Sequence, residues 1–198
     1  MSTGVPRAAG GLAAAALLLA PAAGAAKSLA REGTVAILPT ARFASQPKGF
    51  DGAAVAPALA LAFGFKPSAD LELGIDIGAS MASAKGAGGT WDLLGAPLLV
   101  RLSWTPMPAW DVRPVFHLGA GKALVTVDGP SYREHTPFAL QATAGLQADL
   151  SDALGLWVDG GYLHARAEDP VLGTVDGGGA LARAGLYFRW EPIPARGF

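Results

Sequence analysis

The 198-residue sequence predicts an all-β chain: an eight-stranded antiparallel up-and-down transmembrane β-barrel that follows an N-terminal signal peptide. Three observations carry that expectation. Residues 1–26 are ordered positive, apolar and small. Eight later segments alternate with period two between large apolar and small or polar side chains. These segments run about 9–14 residues, where soluble strands commonly run about 5–6 and a tilted bilayer-crossing strand needs about 9–11.

Arg7 is the only charged side chain before Lys27, and Leu12 to Ala20 is an unbroken run of Leu and Ala. Pro21 ends any helix there, and Ala23-Gly24-Ala25 meets the small-x-small rule of signal peptidase. This is the order of a secretory signal peptide. The apolar run is shorter than the roughly 20 residues of a membrane-spanning helix. Cleavage is expected after Ala25 or Ala26, which leaves residues 27–198 as an outer-membrane β-barrel domain with 14 basic and 16 acidic residues.

The strands follow in order, because alternate side chains of a strand point to opposite faces. In the first, Val35, Ile37, Pro39 and Phe43 alternate with Thr34, Ala36, Thr40 and Arg42. In the second, Val55, Pro57, Leu59, Leu61, Phe63 and Phe65 alternate with Ala and Gly64. Leu71, Leu73, Ile75 and Ile77 oppose Glu72, Gly74, Asp76 and Gly78 in the third. The fourth sets Leu94, Leu98, Val100, Leu102 and Trp104 against Gly95, Pro97, Leu99, Arg101 and Ser103. The fifth sets Pro114, Phe116, Leu118 and Ala120 against Arg113, Val115, His117, Gly119 and Gly121. Phe138, Leu140 and Leu146 oppose Gln141, Thr143, Gln147 and Asp149 in the sixth. Leu154, Leu156, Val158 and Tyr162 oppose Trp157 and Asp159 in the seventh. The eighth sets Ala182, Ala184, Leu186, Phe188 and Trp190 against Leu181, Arg183, Gly185, Tyr187 and Arg189.

The odd-numbered links are expected to be the longer set: Ser45 to Gly52, Ala84 to Thr90, Asp128 to Thr136 and Ala167 to Gly178. Lys66 to Asp70, Thr105 to Ala109 and Ser151 to Ala153 are tighter. Outer-membrane barrels have short periplasmic turns and longer outer loops, so both termini are expected on the periplasmic side. Phe65, Trp104, Trp110, Phe188 and Trp190 would form one aromatic girdle, and Trp91, Phe138 and Tyr162 the other. Pro39, Pro57, Pro97, Pro114 and Pro137 each remove a ladder donor, so bulges or strand ends are expected there.

Composition agrees. Hydrophobic residues make up 51% and charged residues 16%, and mean hydropathy is +0.34. A soluble domain is roughly a quarter charged, so this chain is short of material for a wet surface. Net charge is −1 with no basic run, which argues against a nucleic-acid partner. There is no Cys, which excludes disulfides, thiolate metal sites and Cys nucleophiles.

Two stretches resemble the small outer-membrane β-barrel family, the group that includes OmpA-type transmembrane domains. Arg113-Pro114-Val115-Phe116-His117-Leu118-Gly119-Ala120-Gly121 looks like its Pro-aromatic-x-x-Gly-x-Gly strand. Arg183 to Trp190 is similar to the C-terminal targeting signal of such barrels, with Gly185, Phe188 and Trp190 at the signature places. The resemblance implies recognition of that last strand by the barrel-assembly machinery, and a place in the bacterial outer membrane among its lipids. Family members usually end at the aromatic, whereas Glu191 to Phe198 follow here. No peptidoglycan-binding domain is expected after the barrel.

The inward set is the candidate site. Glu72, Asp76 and Asp159 face Arg101, Arg113, Arg183 and Arg189, together with His117. Glu72 and Arg101 sit on neighbouring strands at similar depth, as do Asp159 and Arg183. Shielded from water and lipid, such charges must be paired or hydrated. They form either a static ion-pair plug or a narrow, porin-like polar conduit, the latter favoured by the small inner face of the second strand. Catalysis is not expected: there is no Gly-x-Ser-x-Gly, and no His has Ser beside it or one removed. Neither metal-ligand spacing nor a cofactor motif is present, since Gly119-x-Gly121-Lys122 lacks the rest of a phosphate loop.

The expected function is thus a non-enzymatic, monomeric envelope protein with a structural or surface-interaction role. A passive carrier for a small hydrophobic solute and a lipid-modifying enzyme are the alternatives. A soluble periplasmic lipid-binding barrel would invert the pattern and turn the Leu, Phe and Trp set inward. N-terminal sequencing of the protein recovered from cell envelopes should begin at Ala26 or Lys27; a chain beginning at Met1 would make the leader an anchor.

Overall fold

The computed structural model of the chain describes residues 32–43, 51–52, 55–86, 89–129, 132–170 and 173–190. The expected signal peptide and the Glu191 to Phe198 tail lie outside the described residues. Eight strands carry the architecture. They are β1 (Gly33–Phe43), β2 (Val55–Phe65), β3 (Leu71–Gly86), β4 (Gly89–Trp104), β5 (Val112–Asp128), β6 (Phe138–Asp149), β7 (Leu154–His164) and β8 (Gly179–Trp190). Each pairs antiparallel with its neighbour in sequence, and β1 pairs with β8, so the sheet closes on itself.

The register fixes the size of the barrel. Following paired residues once around runs Gly33, Phe65, Leu73, Leu102, Leu118, Ala142, Tyr162, Ala180, Phe43. The circuit returns to β1 ten residues further along. Eight strands with that stagger tilt by about 40° and enclose a cylinder of about 8 Å radius at the backbone.

The two faces sort as the alternation requires. Val100 is 68% exposed and its neighbour Arg101 1%; Leu118 is 63% exposed and His117 1%. Ile37, Phe63, Ile75, Leu98, Phe116 and Leu186 all face out. No helix among the described residues is long and apolar enough to cross a membrane; the strands supply the apolar exterior. Trp104 and Phe116, a cross-strand pair, stack at 5.7 Å near the short-turn end.

Four details depart from the sequence reading. The link between β3 and β4 is short rather than long: the strands pair to Gly86 and Gly89. β3, β4 and β5 reach 16, 16 and 17 residues, beyond the expected length, because the β3–β4 ladder continues to Gly86 and Gly89 and the β4–β5 ladder to Asp92 and Asp128. The prolines bring no bulge. The β1–β8 ladder skips Leu38 and Pro39 and resumes in the same register at Thr40, and the β3–β4 ladder does the same past Pro97. Pro114 lies within the β5–β6 pairing, its neighbours' registers unbroken. Pro137 does end β6, yet its carbonyl still accepts from Ala123 at 3.0 Å, and Arg133–His135 continues the register against β5. Finally, Trp91 is no girdle residue: it is 4% exposed, inside the barrel mouth.

An Arg at Leu118 would put a charge on the lipid face and should cost about 2–4 kcal/mol, read by urea unfolding in liposomes; the same change at Phe138, near the loop end, should cost about 0–1 kcal/mol.

Candidate functional site in the barrel lumen

The interior is filled in three tiers. At the short-turn end, Arg113 on β5 reaches both oxygens of Asp149 on β6, at 2.6 and 3.0 Å. It also donates to the Tyr187 hydroxyl at 2.7 Å, and that hydroxyl donates to Asp149. Arg189 meets the second Asp149 oxygen at 3.0 Å and lies over the Tyr187 ring. Lys66, in the turn after β2, sits 3.8 Å from Glu32. Burial holds the Lys66 ammonium below its ordinary pKa, with Glu72 and Glu32 pulling the other way.

The middle tier is a continuous network. Arg101 on β4 meets Glu72 at 2.5 Å and Asp76 at 3.2 Å, both on β3. Asp76 also meets Arg183 on β8 at 3.3 Å, and Arg183 pairs with Asp159 on β7 at 2.5 Å. Asp159 accepts further bonds from Thr143 and from the Trp157 indole, each at 3.1 Å. Arg101 and Arg183 both lie over the Trp157 ring, at 5.0 and 5.8 Å. Four strands are thus tied across the lumen by charge-assisted bonds, which are stronger than neutral ones. The local reason is register: Gly74 stands opposite Arg101, and Arg183 opposite Asp159. A Cβ at Gly74 would collide with the Phe63 carbonyl oxygen of β2 and lie 2.9 Å from an Arg101 guanidinium nitrogen, so glycine there lets the strands approach and makes room for the head group.

His117 stands beside this network. Its Nδ1 is 2.7 Å from the Ser103 hydroxyl, its cross-strand partner, and its Nε2 is 3.8 Å from Asp159. Ser, His and Asp are therefore adjacent in space, a proximity invisible to a search for Ser next to His in sequence. Each member of the set is enclosed and already engaged. All three are buried inside the wall, and the nearer Asp159 oxygen is already held by Thr143, Trp157 and Arg183. Among the described residues, no group of three His, Asp or Glu is placed to hold a metal.

The third tier, at the loop end, is apolar. Trp91, Leu99, Val125, Val127, Leu163 and Leu181 pack together on the inward face. Val175 joins them from a small hairpin, Arg166–Asp169 paired with Gly173–Asp176, that connects β7 to β8. Asp169 of this hairpin is held by Arg133 and His135, each at 3.0 Å, which fastens it to the neighbouring loop. Sequence reasoning did not single out this stopper, nor Asp149 and Tyr187 as members of the network. Their inward parity at strand ends was the available signal.

The C-terminal strand residues occupy the outer wall and the seam. Phe188 and Trp190 face out at the short-turn end. Gly185 lies where a Cβ would collide with the Ile37 carbonyl of β1.

Replacing Asp159 by Ala should cost about 3–5 kcal/mol in urea unfolding, because Arg183 is left buried and short of its partner. Adding Arg183→Met should recover most of that loss.

No protein-family model and no curated relative matches the sequence. Solved structures do match in fold. OprG, an outer membrane protein of Pseudomonas aeruginosa, aligns with a TM-score of 0.61 at 13% identity over 82% of this chain and 97% of that one. Neisserial surface protein A aligns at 0.55 and 11% identity, over 82% and 97%. Ail, the attachment invasion locus protein of Yersinia pestis, solved with the heparin analogue sucrose octasulfate, aligns at 0.51 and 11% identity, over 81% and 99%. At these identities the likeness is one of fold: the chain has the closed eight-stranded architecture of small outer-membrane β-barrels.

Proposed function

We propose that the chain is a non-enzymatic outer-membrane protein of the bacterial envelope, with a structural or surface-interaction role. The observation that carries this reading is the double closure of the lumen. A tier of crossed ion pairs fills its middle and an apolar stopper fills its mouth. A barrel of this radius is just wide enough for its side chains to fill it, and here they fill all but a cavity of about 40 Å³. The apolar exterior supports outer-membrane lipid as its surroundings, and on this reading Gly185, Phe188 and Trp190 are offered to the assembly machinery. With short turns facing the periplasm, the loop end meets the outside, and contacts with other molecules are made there. The barrel closes on itself without a partner strand, in keeping with a monomer.

Planar bilayers containing the purified protein should show no unitary currents, and liposomes containing it should exclude small solutes. Stepwise currents or solute entry would favour the carrier instead. The protein should need detergent for extraction and migrate differently on gels when unboiled; release in plain buffer would contradict an outer-membrane location.

A further inference from the structure

Between the ion-pair network and the apolar stopper lies a cavity of about 40 Å³. It exists because β2 and β3 present only small inward residues at this height, Ala58, Ala60 and Gly78. A water needs about 10–15 Å³ by this measure, so the space suits about three waters or one compact ion. Most of its lining is apolar, and Arg42, Ser80, Gln141 and Arg183 supply polar groups to it.

The two arginines differ. Arg183 is satisfied by Asp159 and Asp76. Arg42 is just as buried, at 4% exposure, yet it forms no ion pair within 4.0 Å among the described residues. One terminal nitrogen donates to the Gly177 carbonyl, and its Nε has no hydrogen-bond partner. The Asp176 carboxylate acts on it only from further away, being held by Arg166 at 3.4 Å and by the Gly178 amide at 2.9 Å. A guanidinium removed from water without a contacting anion is strongly unfavourable, and the position lies directly on a cavity of ionic size.

We propose that this cavity binds a small monovalent anion of halide or nitrate size, held by the Arg42 guanidinium. One unmatched positive charge sets the valence, and the volume sets the size. Leu163 and Leu181 line the site on the side of the stopper, and binding there does not require that the barrel conduct.

The test uses the purified full chain in detergent, in sodium bromide and in sodium gluconate at equal ionic strength, since gluconate is too large to enter. The midpoint of the heat-induced gel shift should rise saturably with bromide, by about 2–4 °C. Crystals grown in bromide should show one anomalous peak beside Arg42. Arg42→Gln should abolish both signals. Ser80→Val, which fills the cavity and keeps the charge, should abolish them too, and it decides the matter if Arg42→Gln fails to fold. Equal midpoints in both salts with no lumenal peak would overturn the proposal, as would an undiminished response in Ser80→Val.

Discussion

A closed ring of eight strands leaves an interior only about 8 Å in radius, and every polar side chain that faces it must find its partner within that span. The rest of the structure follows from this confinement. Long guanidinium side chains can cross the lumen and reach carboxylates on other strands, so Arg101 and Arg183 become the struts. Asp76 serves both of them. Trp157, too large for the outer wall to need, lies flat against both cations and fills the space between. The exterior has no comparable demand, and plain Leu, Ile, Val and Phe suffice there.

The confinement also explains why each carboxylate of the network is crowded with donors. A buried carboxylate with one partner would be left with exposed lone pairs in a low-dielectric space. Asp159 instead gathers Arg183, Thr143 and Trp157. Asp149 gathers Arg113, Arg189 and Tyr187. Such arrangements fix which strand lies beside which, a matter the uniform backbone ladder leaves open.

The strand order and the two faces were legible from alternation alone, because a period of two is dictated by the pleat and one face had to meet lipid. The neighbouring pairs Glu72 with Arg101 and Asp159 with Arg183 were also within reach of counting along adjacent strands. What could not be read was anything that depends on stagger or on a loop folding back. Ser103 and His117 are 14 residues apart and meet only through the β4–β5 register. Trp91 looked like an interfacial aromatic. It shares the inward parity of Leu99 and Arg101, and the longer β4 carries it into the mouth. Val175 reaches the stopper by way of a loop hairpin, which has no periodic signature. The prolines misled in a different way: the ladder tolerates two missing positions at Pro39 and at Pro97 without slipping, because the pairs on either side hold the alignment.

The unequal strand lengths give the molecule a lopsided profile. β3, β4 and β5 run 16 or 17 residues, whereas β1, β2 and β7 run 11. The extra five or so residues, at about 3.3 Å each along a tilted strand, raise one side of the wall by about 10–15 Å over the other. Anything approaching from above meets a parapet where the ladder of β3 and β4 runs on to Gly86 and Gly89. The height of that parapet is written into the chain as the length of one hairpin.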